Sequence, residues 1–336
     1  MVRTVVIAPA ETSSITMTGL FDVIGKADRA YGALRGRPGR DTTFDVRLAS
    51  LDGQPVRHGE RVTVNVDLAA DEVHDVDLVV VPGLDDDLEP SLALNEGWAP
   101  WLARWHRAGA VVASSCSGAF LVAEAGLLDG RSATTHWLYG EALQRRHPAV
   151  RVTTERLLID HGDVITSGGA TTFLDLALYL VERFAGRERA NAAARILLID
   201  GARTSQLPYV SLGGVLHEHD DEAVRRAQHL IDRDLGGDLR VDALARAVGL
   251  SSRTLARRFV DSVGQTPQAY IQARRVDTAR RLLETSDTPV DNIRRRVGYA
   301  DATAFRRAFR HHAGLSPTDY RRRFGWPSGA VTGQNA

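Results

Sequence analysis

The second half of the chain repeats itself. At an offset of 50 residues, Leu255 aligns with Phe305, Arg257 with Arg307, Phe259 with Phe309, Gly264 with Gly314, Pro267 with Pro317 and Tyr270 with Tyr320. Just upstream the offset is 49, pairing Val241 with Val290, Leu244 with Ile293, Val248 with Val297 and Gly249 with Gly298. The one-residue difference falls in a turn, where an insertion is easiest to absorb. Apolar, turn and aromatic positions recur together, so each copy is one supersecondary unit of a common design.

Each copy reads as helix, tight turn, helix. Residues 241–248 have the spacing of a short amphipathic helix, Gly249 permits the turn, and Ser251 or Ser252 caps the next helix. In that helix Leu255, Ala256 and Phe259 face inward, while Arg253 and Arg257 share an outward face one turn apart. The second copy has Gly298 at the turn, Asp301 as the cap, Phe305 and Phe309 inward, and Thr303, Arg306, Arg307 and Arg310 outward. A helix anchored by its apolar side and projecting guanidinium groups suits the DNA major groove, where arginine pairs with O6 and N7 of guanine. Two such units can read successive major-groove faces about 34 Å apart on one side of a duplex.

The charge distribution points to the same partner. Net charge is zero, yet residues 1–219 carry 21 Lys and Arg against 28 Asp and Glu, whereas residues 220–336 carry 21 against 14. A basic half attached to an acidic half implies a polyanionic partner for the former. The alternative, a solvated arginine surface, leaves the agreement of charge, repeat and turn chemistry unexplained. RNA is disfavoured because no aromatic stacking platform is evident.

A length of 336 residues fits two domains, and 43% hydrophobic with 25% charged residues is a globular composition. No apolar stretch approaches a bilayer span, and residues 5–7 are too short for a signal-peptide core, so they read as a first strand. The single cysteine, Cys116, excludes an internal disulfide and a cysteine-based metal cluster, which suits a cytoplasmic protein. Neither a metal nor a cofactor is expected.

The first part alternates strand and helix signals. Apolar runs at residues 4–8, 77–81 and 109–113 read as strands, residues 118–125 and 171–184 as helices, residues 151–154 and 157–159 as a hairpin, and residues 163–166 as a further strand. This predicts a largely parallel sheet covered on both faces. Beyond residues 206–209 the strand signals stop, and residues 221–234 carry a helical apolar face. The expected organisation is an α/β domain at 1–205, a linker at 206–220, an all-α domain with two helix-turn-helix units at 221–326 and a disordered tail at 327–336.

The segment Ala245-Arg-Ala-Val-Gly-Leu-Ser-Ser-Arg-Thr-Leu-Ala-Arg-Arg-Phe259 resembles the first helix-turn-helix of AraC/XylS-type regulators. Residues 298–309 and 314–321 resemble that family's signature around the second. The resemblance covers residues 220–326 and implies base-reading positions at Arg253, Ala256, Arg257, Ala302, Thr303, Arg306 and Arg307. The two alanines offer apolar contact, for instance to a thymine methyl. Thr266 and Ser316, each before a proline, read as turn residues.

Ser114-Ser-Cys-Ser-Gly118, between a strand and a helix, has the small residues that a nucleophile elbow requires. There the helix dipole favours a Cys116 thiolate, and the amides of Gly83 and Ser117 are candidates for an oxyanion hole. His136 follows on the next strand. Together with Val81-Pro-Gly83 and Thr166-Ser-Gly-Gly169, this is similar to the PfpI-like branch of the class I glutamine amidotransferase-like superfamily over residues 3–200, implying a flavodoxin-like parallel sheet. Relatives include isonitrile hydratases and deglycase- and protease-like enzymes, and hydratase-like and regulator members carry an acidic residue early in the chain. Here Thr16 stands at that place, while Asp22 aligns with the helix that follows. A hydroxyl cannot act as a carboxylate base near neutral pH, so Cys116 and His136 read as vestigial and no catalysis is expected. Cys116 is then a packing residue or part of a pocket, and His136 a hydrogen-bonded structural histidine. Redox sensing would need an exposed, low-pKa thiol.

The fusion of the two resembles the GlxA family of transcriptional regulators. That resemblance implies double-stranded DNA and RNA polymerase as partners, a homodimer joined through the N-terminal domains, and an activating role. It also implies a small nitrogen-containing metabolite as effector; because the DNA-binding half needs an input and the α/β half offers a pocket beside its elbow, the effector is expected near Thr16, Gly83, Cys116, Ser117, His136 and Gly168. The alternatives are a hydratase-like enzyme using Cys116, and a regulator whose N-terminal domain is only a dimerisation scaffold.

Overall fold

Val2–Ile7 ends in the buried apolar run Val5-Val-Ile7, and Leu78–Val81 is wholly apolar and buried, which is the pattern of strands buried on both faces. In the computed structural model they are β1 and β6, side by side near the middle of a seven-stranded sheet. The structure describes residues 1–36, 42–58, 62–85, 87–201, 203–210 and 219–325. The expected tail at 327–336 and residues 211–218 of the expected linker lie outside the described residues. The chain forms two compact units, Met1–Gln206 and Leu207–Ala336.

In the first unit the strands are β1, β2 (Phe44–Ser50), β3 (Val56–His58), β4 (Val62–Val64), β5 (Leu68–Ala69), β6, β7 (Val111–Ser115), β8 (Ser132–Ala133), β9 (Arg151–Val152), β10 (Leu158–Asp160) and β11 (Val164–Ser167). The main sheet runs β10-β11-β7-β6-β1-β2-β5 and is parallel except where β10 meets β11. Its helices are α1 (Ser14–Leu34), α2 (Leu88–Leu94), α3 (Trp98–Arg107), α4 (Ala119–Glu124), α5 (Gly140–Arg146), α6 (Phe173–Ala185) and α7 (Arg187–Ile196). Trp98, Leu102 and Phe120, from α3 and α4, pack with Val79 and Val112 on one face. Met17, Leu20, Ile24, Leu176 and Leu180, from α1 and α6, pack with Val80 and Ala113 on the other. Both faces are covered, as strand residues buried on alternate sides require.

One expectation is corrected. Residues 151–154 do not form a hairpin with 157–159. Instead β9 pairs in parallel with β8, and β10 forms the hairpin with β11, Leu158 opposite Ser167. The turn chemistry explains the difference. Gly162 adopts φ +91°, and its amide donates to the Asp160 carboxylate at 2.6 Å, closing β10 onto β11, whereas the turn at residues 153–156, with the Arg156 amide on the Thr153 carbonyl at 3.4 Å, leads from β9 to β10 without pairing them. The expected helix at 118–125 opens as a 3₁₀ turn, Cys116–Gly118, before α4.

The second unit is helical: α8 (Glu222–Arg233), α9 (Val241–Ala247), α10 (Ser252–Val263), α11 (Pro267–Thr285), α12 (Val290–Arg296), α13 (Ala302–Ala313) and α14 (Pro317–Phe324). The repeat is visible at every level. Gly264 and Gly314 end α10 and α13 in the left-handed conformation. Leu244, Val248, Leu255, Phe259 and Tyr270 build one core; Ile293, Val297, Phe305, Phe309 and Tyr320 build a second. The 19-residue α11 joins them, with Tyr270 and Ile271 in the first core and Val276, Ala279 and Leu283 in the second. Of the expected linker, Gln206 is buried in the first unit, and Leu207–Tyr209 form a 3₁₀ turn in the second.

Two outcomes are expected. A Cβ on Gly118 would overlap the Pro82 carbonyl and lie 2.9 Å from that of Val81, so Gly118→Ala should cost about 1–3 kcal/mol in denaturant unfolding of the first unit. In α13, burial, helped by His311 and Arg280, lowers the His312 pKa from 6.5 to about 4. As pH falls through that interval the unfolded chain takes up a proton that the folded chain refuses, so stability is lost; below about 4 the loss stops. Hydrogen exchange at α11 and α13 should therefore accelerate more between these pH values in the wild type than in His312→Gln.

Candidate nucleic-acid interface and the cysteine elbow

The two helices expected to read DNA are built alike. Ser251 caps α10 by accepting the Thr254 amide at 3.1 Å, and the Asp301 carboxylate caps α13 through the Ala304 amide. Thr266 and Ser316 likewise cap α11 and α14, accepting from Ala269 at 3.2 Å and Asp319 at 3.1 Å, so they are turn residues. With Leu255, Phe259, Phe305 and Phe309 fully buried, the helical period leaves Arg253, Arg257, Thr303, Arg306 and Arg307 exposed. Ala256 and Ala302 are half-buried at the margins of the same faces; Ala256 does not face the core as its spacing suggested.

The arginines of this unit fall into two groups. Arg258 grips the Asp221 carboxylate with two bonds of 2.6 and 2.7 Å, tying α10 to the start of α8 and holding the Asp221 pKa below its ordinary value. Arg274 bonds Asp232 at 2.8 Å, and Arg294 holds Asp291 and the carbonyls of Tyr299 and Ala300. By contrast, Arg253, Arg257, Arg306 and Arg307 make no hydrogen bond or ion pair to any described residue. Neighbours in sequence, such as Arg257 and Arg258, thus have different work, one projecting to solvent and the other holding the fold.

In the first unit β1, β6, β7 and β11 lie side by side and end at one edge of the sheet, the usual location of ligand sites in parallel α/β folds. Cys116, just after β7, has φ +55°, a strained conformation for a residue with a side chain, as an elbow demands. It is buried, 8% exposed. Its amide donates to the Gly168 carbonyl at 3.1 Å, and its carbonyl accepts the Thr135 hydroxyl at 2.8 Å. Gly83, after β6, faces three expected site residues at once: a Cβ there would lie 3.2 Å from Cys116 Cβ, 3.5 Å from Ser117 Oγ and 3.6 Å from Thr16 Oγ1.

The groups at this edge are largely engaged with one another. The Gly83 amide, expected in an oxyanion hole, donates to Thr16 Oγ1 at 3.2 Å, and Thr16 donates onward to the Ser13 carbonyl at 2.9 Å. Ser117 Oγ accepts the Leu84 amide at 2.8 Å and donates to the Leu84 carbonyl at 3.0 Å. Asp22 lies on the exposed side of α1, paired with Lys26. His136 caps a 3₁₀ turn, its Nδ1 accepting the Leu138 amide at 3.1 Å, with the ring stacked on Trp137. Its Nε2 would be 3.2 Å from a Cβ on Gly169. The structure thus gathers Thr16, Gly83, Cys116, Ser117 and Gly168, and sets His136 beside Gly169. It also adds Gln206, which the sequence reading placed in the linker: its side chain occupies the space in front of Gly168 and accepts the Gly169 amide at 2.9 Å. A lone glutamine at a domain end carries no pattern from which this burial could be read.

Among the described residues no helix is long and apolar enough to cross a membrane, and no group of three or more His, Cys, Asp or Glu is placed to hold a metal. Residues 4–183 match the DJ-1/PfpI family, and residues 244–323 match a helix-turn-helix domain family. The HTH-type transcriptional regulator CdhR of Pseudomonas aeruginosa is 31% identical over 279 residues, spanning 82% of this chain and 80% of that protein. GlxA of Rhizobium meliloti, also an HTH-type transcriptional regulator, is 28% identical over 224 residues, 67% of this chain and 69% of its own. A solved Vibrio parahaemolyticus protein shares the fold over 58% of this chain and 98% of its own, with a TM-score of 0.51 at 19% identity. Matched along most of its length by such regulators and carrying both family domains, the chain belongs to the transcriptional regulators that join a DJ-1/PfpI domain to an AraC-type helix-turn-helix domain.

Proposed function

We propose that this regulator is a cytoplasmic homodimer that activates transcription by binding specific duplex sequences through α10 and α13 and contacting RNA polymerase. The observation that carries the reading is the set of four exposed guanidinium groups, Arg253, Arg257, Arg306 and Arg307, which have no hydrogen-bond or ion-pair partner among the described residues and stand on two capped helices with separate cores. A guanidinium so placed is available to guanine in the major groove. Thr303 adds a hydroxyl on the same face, and the half-buried Ala256 and Ala302 leave room for a thymine methyl.

The α/β unit is proposed as the sensor, taking a small nitrogen-containing metabolite near Thr16, Gly83, Cys116, Ser117, His136 and Gly168. Besides the convergence of these residues, the hydroxyls of Ser114, Ser115 and Ser167 lie buried at the same strand ends with no hydrogen-bond partner among the described residues. Such groups are ordinarily satisfied by water or a ligand. The strain at Cys116 favours a second reading, hydratase-like chemistry. Against it, Thr16 already engages the Gly83 amide and brings a hydroxyl where a carboxylate base would be needed. Turnover abolished by Cys116→Ala, with DNA binding intact, would establish the enzyme instead.

The regulator reading is tested by fluorescence anisotropy with DNA from upstream of the protein's own gene and its divergent neighbours, followed by selected genomic fragments. Each of Arg257→Ala and Arg307→Ala should weaken specific binding by about 1–3 kcal/mol, and wild-type affinity should fall steeply with salt. Unchanged affinity in the double variant on a selected fragment would overturn the assignment. For the sensor, a thermal-shift screen of small amines and amino acids should find a compound that raises the melting temperature of the wild type.

A further inference from the structure

The two units are joined at a point where both ends are fastened. Gln206, the last residue of the first unit, is 2% exposed. Its Nε2 donates to the carbonyls of Thr135 and Thr154 at 2.9 and 2.8 Å, with the Thr134 hydroxyl and the Arg156 carbonyl both at 3.2 Å. Its Oε1 accepts the Gly169 amide at 2.9 Å. Just before it, Ser205 Oγ donates to the Glu155 carbonyl at 2.8 Å.

The next residues belong to the helical unit. Arg280 of α11, 3% exposed, donates to the carbonyls of Leu207 at 2.8 Å, Val210 and His312. Tyr209 packs edge-on against Phe324 at 5.3 Å, and its hydroxyl accepts from Arg323 at 2.9 Å. Burying an amide and a guanidinium is costly unless they are hydrogen-bonded. A slack linker would need neither, yet here both hold consecutive residues of one strap.

We infer that Gln206 is a latch: its carboxamide closes the niche at Gly168 and Gly169, and any occupant of that niche must first withdraw the strap whose next residues seat on Arg280. The niche adjoins the elbow, because Cys116 bonds the Gly168 carbonyl and the Thr135 hydroxyl, and Gln206 bonds the Thr135 carbonyl. Withdrawal breaks the bonds of Gln206 in the first unit and frees the strap entering the second, so latched and released states differ in DNA affinity. This rests on the sensor reading above in that the effector would be the occupant.

The test uses the full chain and a duplex selected by the wild type from genomic fragments. With no small molecule present, Gln206→Ala and Gln206→Glu should both shift the dissociation constant in the same direction by about fivefold or more. Peptides containing Gly169 should exchange hydrogen faster while α13 stays protected. Faster exchange at Gly169 with unchanged DNA affinity would overturn the latch. Should both variants unfold, the wild type still decides: coupling is reciprocal, so saturating duplex must alter exchange at Gly169, and no change sinks the idea. A compound that still raises the melting temperature of Gln206→Ala, whose DNA affinity is unaltered, would remove the latch and leave the sensor. A shifted affinity in Gln206→Ala with no such compound found would keep the latch and remove the sensor.

Discussion

At the carboxyl edge of the parallel sheet, the turn after β7 runs so close to the end of β6 that Gly118 has no room for a side chain beside the Pro82 and Val81 carbonyls. From that close approach follow the positive φ of Cys116, the two hydrogen bonds between Ser117 Oγ and the Leu84 backbone, and the meeting of Thr16 with the Gly83 amide. It also brings β11 alongside, so that Gly168 receives the Cys116 amide and Gln206 can seat in front of Gly168. The architecture of a nucleophile elbow is intact, but its polar groups are largely occupied by one another. A strained backbone of this kind persists only where the surroundings over-determine it, and here they do so through the bonds of Cys116 to Gly168 and Thr135 and of Ser117 to Leu84.

The helical unit solves a different problem. A helix of twelve residues is marginal by itself, so α10 and α13 are each held by a cap, a left-handed glycine at the end and two buried aromatic or aliphatic anchors. Repetition supplies the second copy, and α11 connects the two cores. The arginines that remain uncommitted then lie on the faces that packing leaves over. Because Arg258, Arg274, Arg280 and Arg294 serve the fold through carboxylates or carbonyls, basic charge alone does not measure the reading surface.

Much of this was legible from residue spacing. The doubled helix-turn-helix, its capping residues, the inward aromatics and the outward arginines all follow from the helical period and from local turn chemistry, both of which act within a few residues. The central strands were equally plain, since β1, β6 and β7 are short apolar runs bounded by turn formers. The hairpin was misplaced because two adjacent β-prone runs, residues 151–154 and 157–159, looked like natural partners, whereas the Asp160–Gly162 turn selected β11 instead. Spacing alone points Ala256 inward, whereas at the helix margin its small side chain is only half-covered.

Spacing and turn chemistry therefore establish the elements and the chemistry each can offer: two capped helices with outward arginines, a parallel sheet, and a cysteine at an elbow of small residues. Which of those groups are committed is settled by the folded structure. It separated Arg257 from Arg258, engaged the Gly83 amide with Thr16, and took Gln206 out of the linker to bury it against Gly169. The physical reason is that hydrogen-bond satisfaction in a buried site is settled by partners many residues away, 37 for Gln206 and Gly169 and 67 for Gly83 and Thr16. Local periodicity carries no record of such distant pairings.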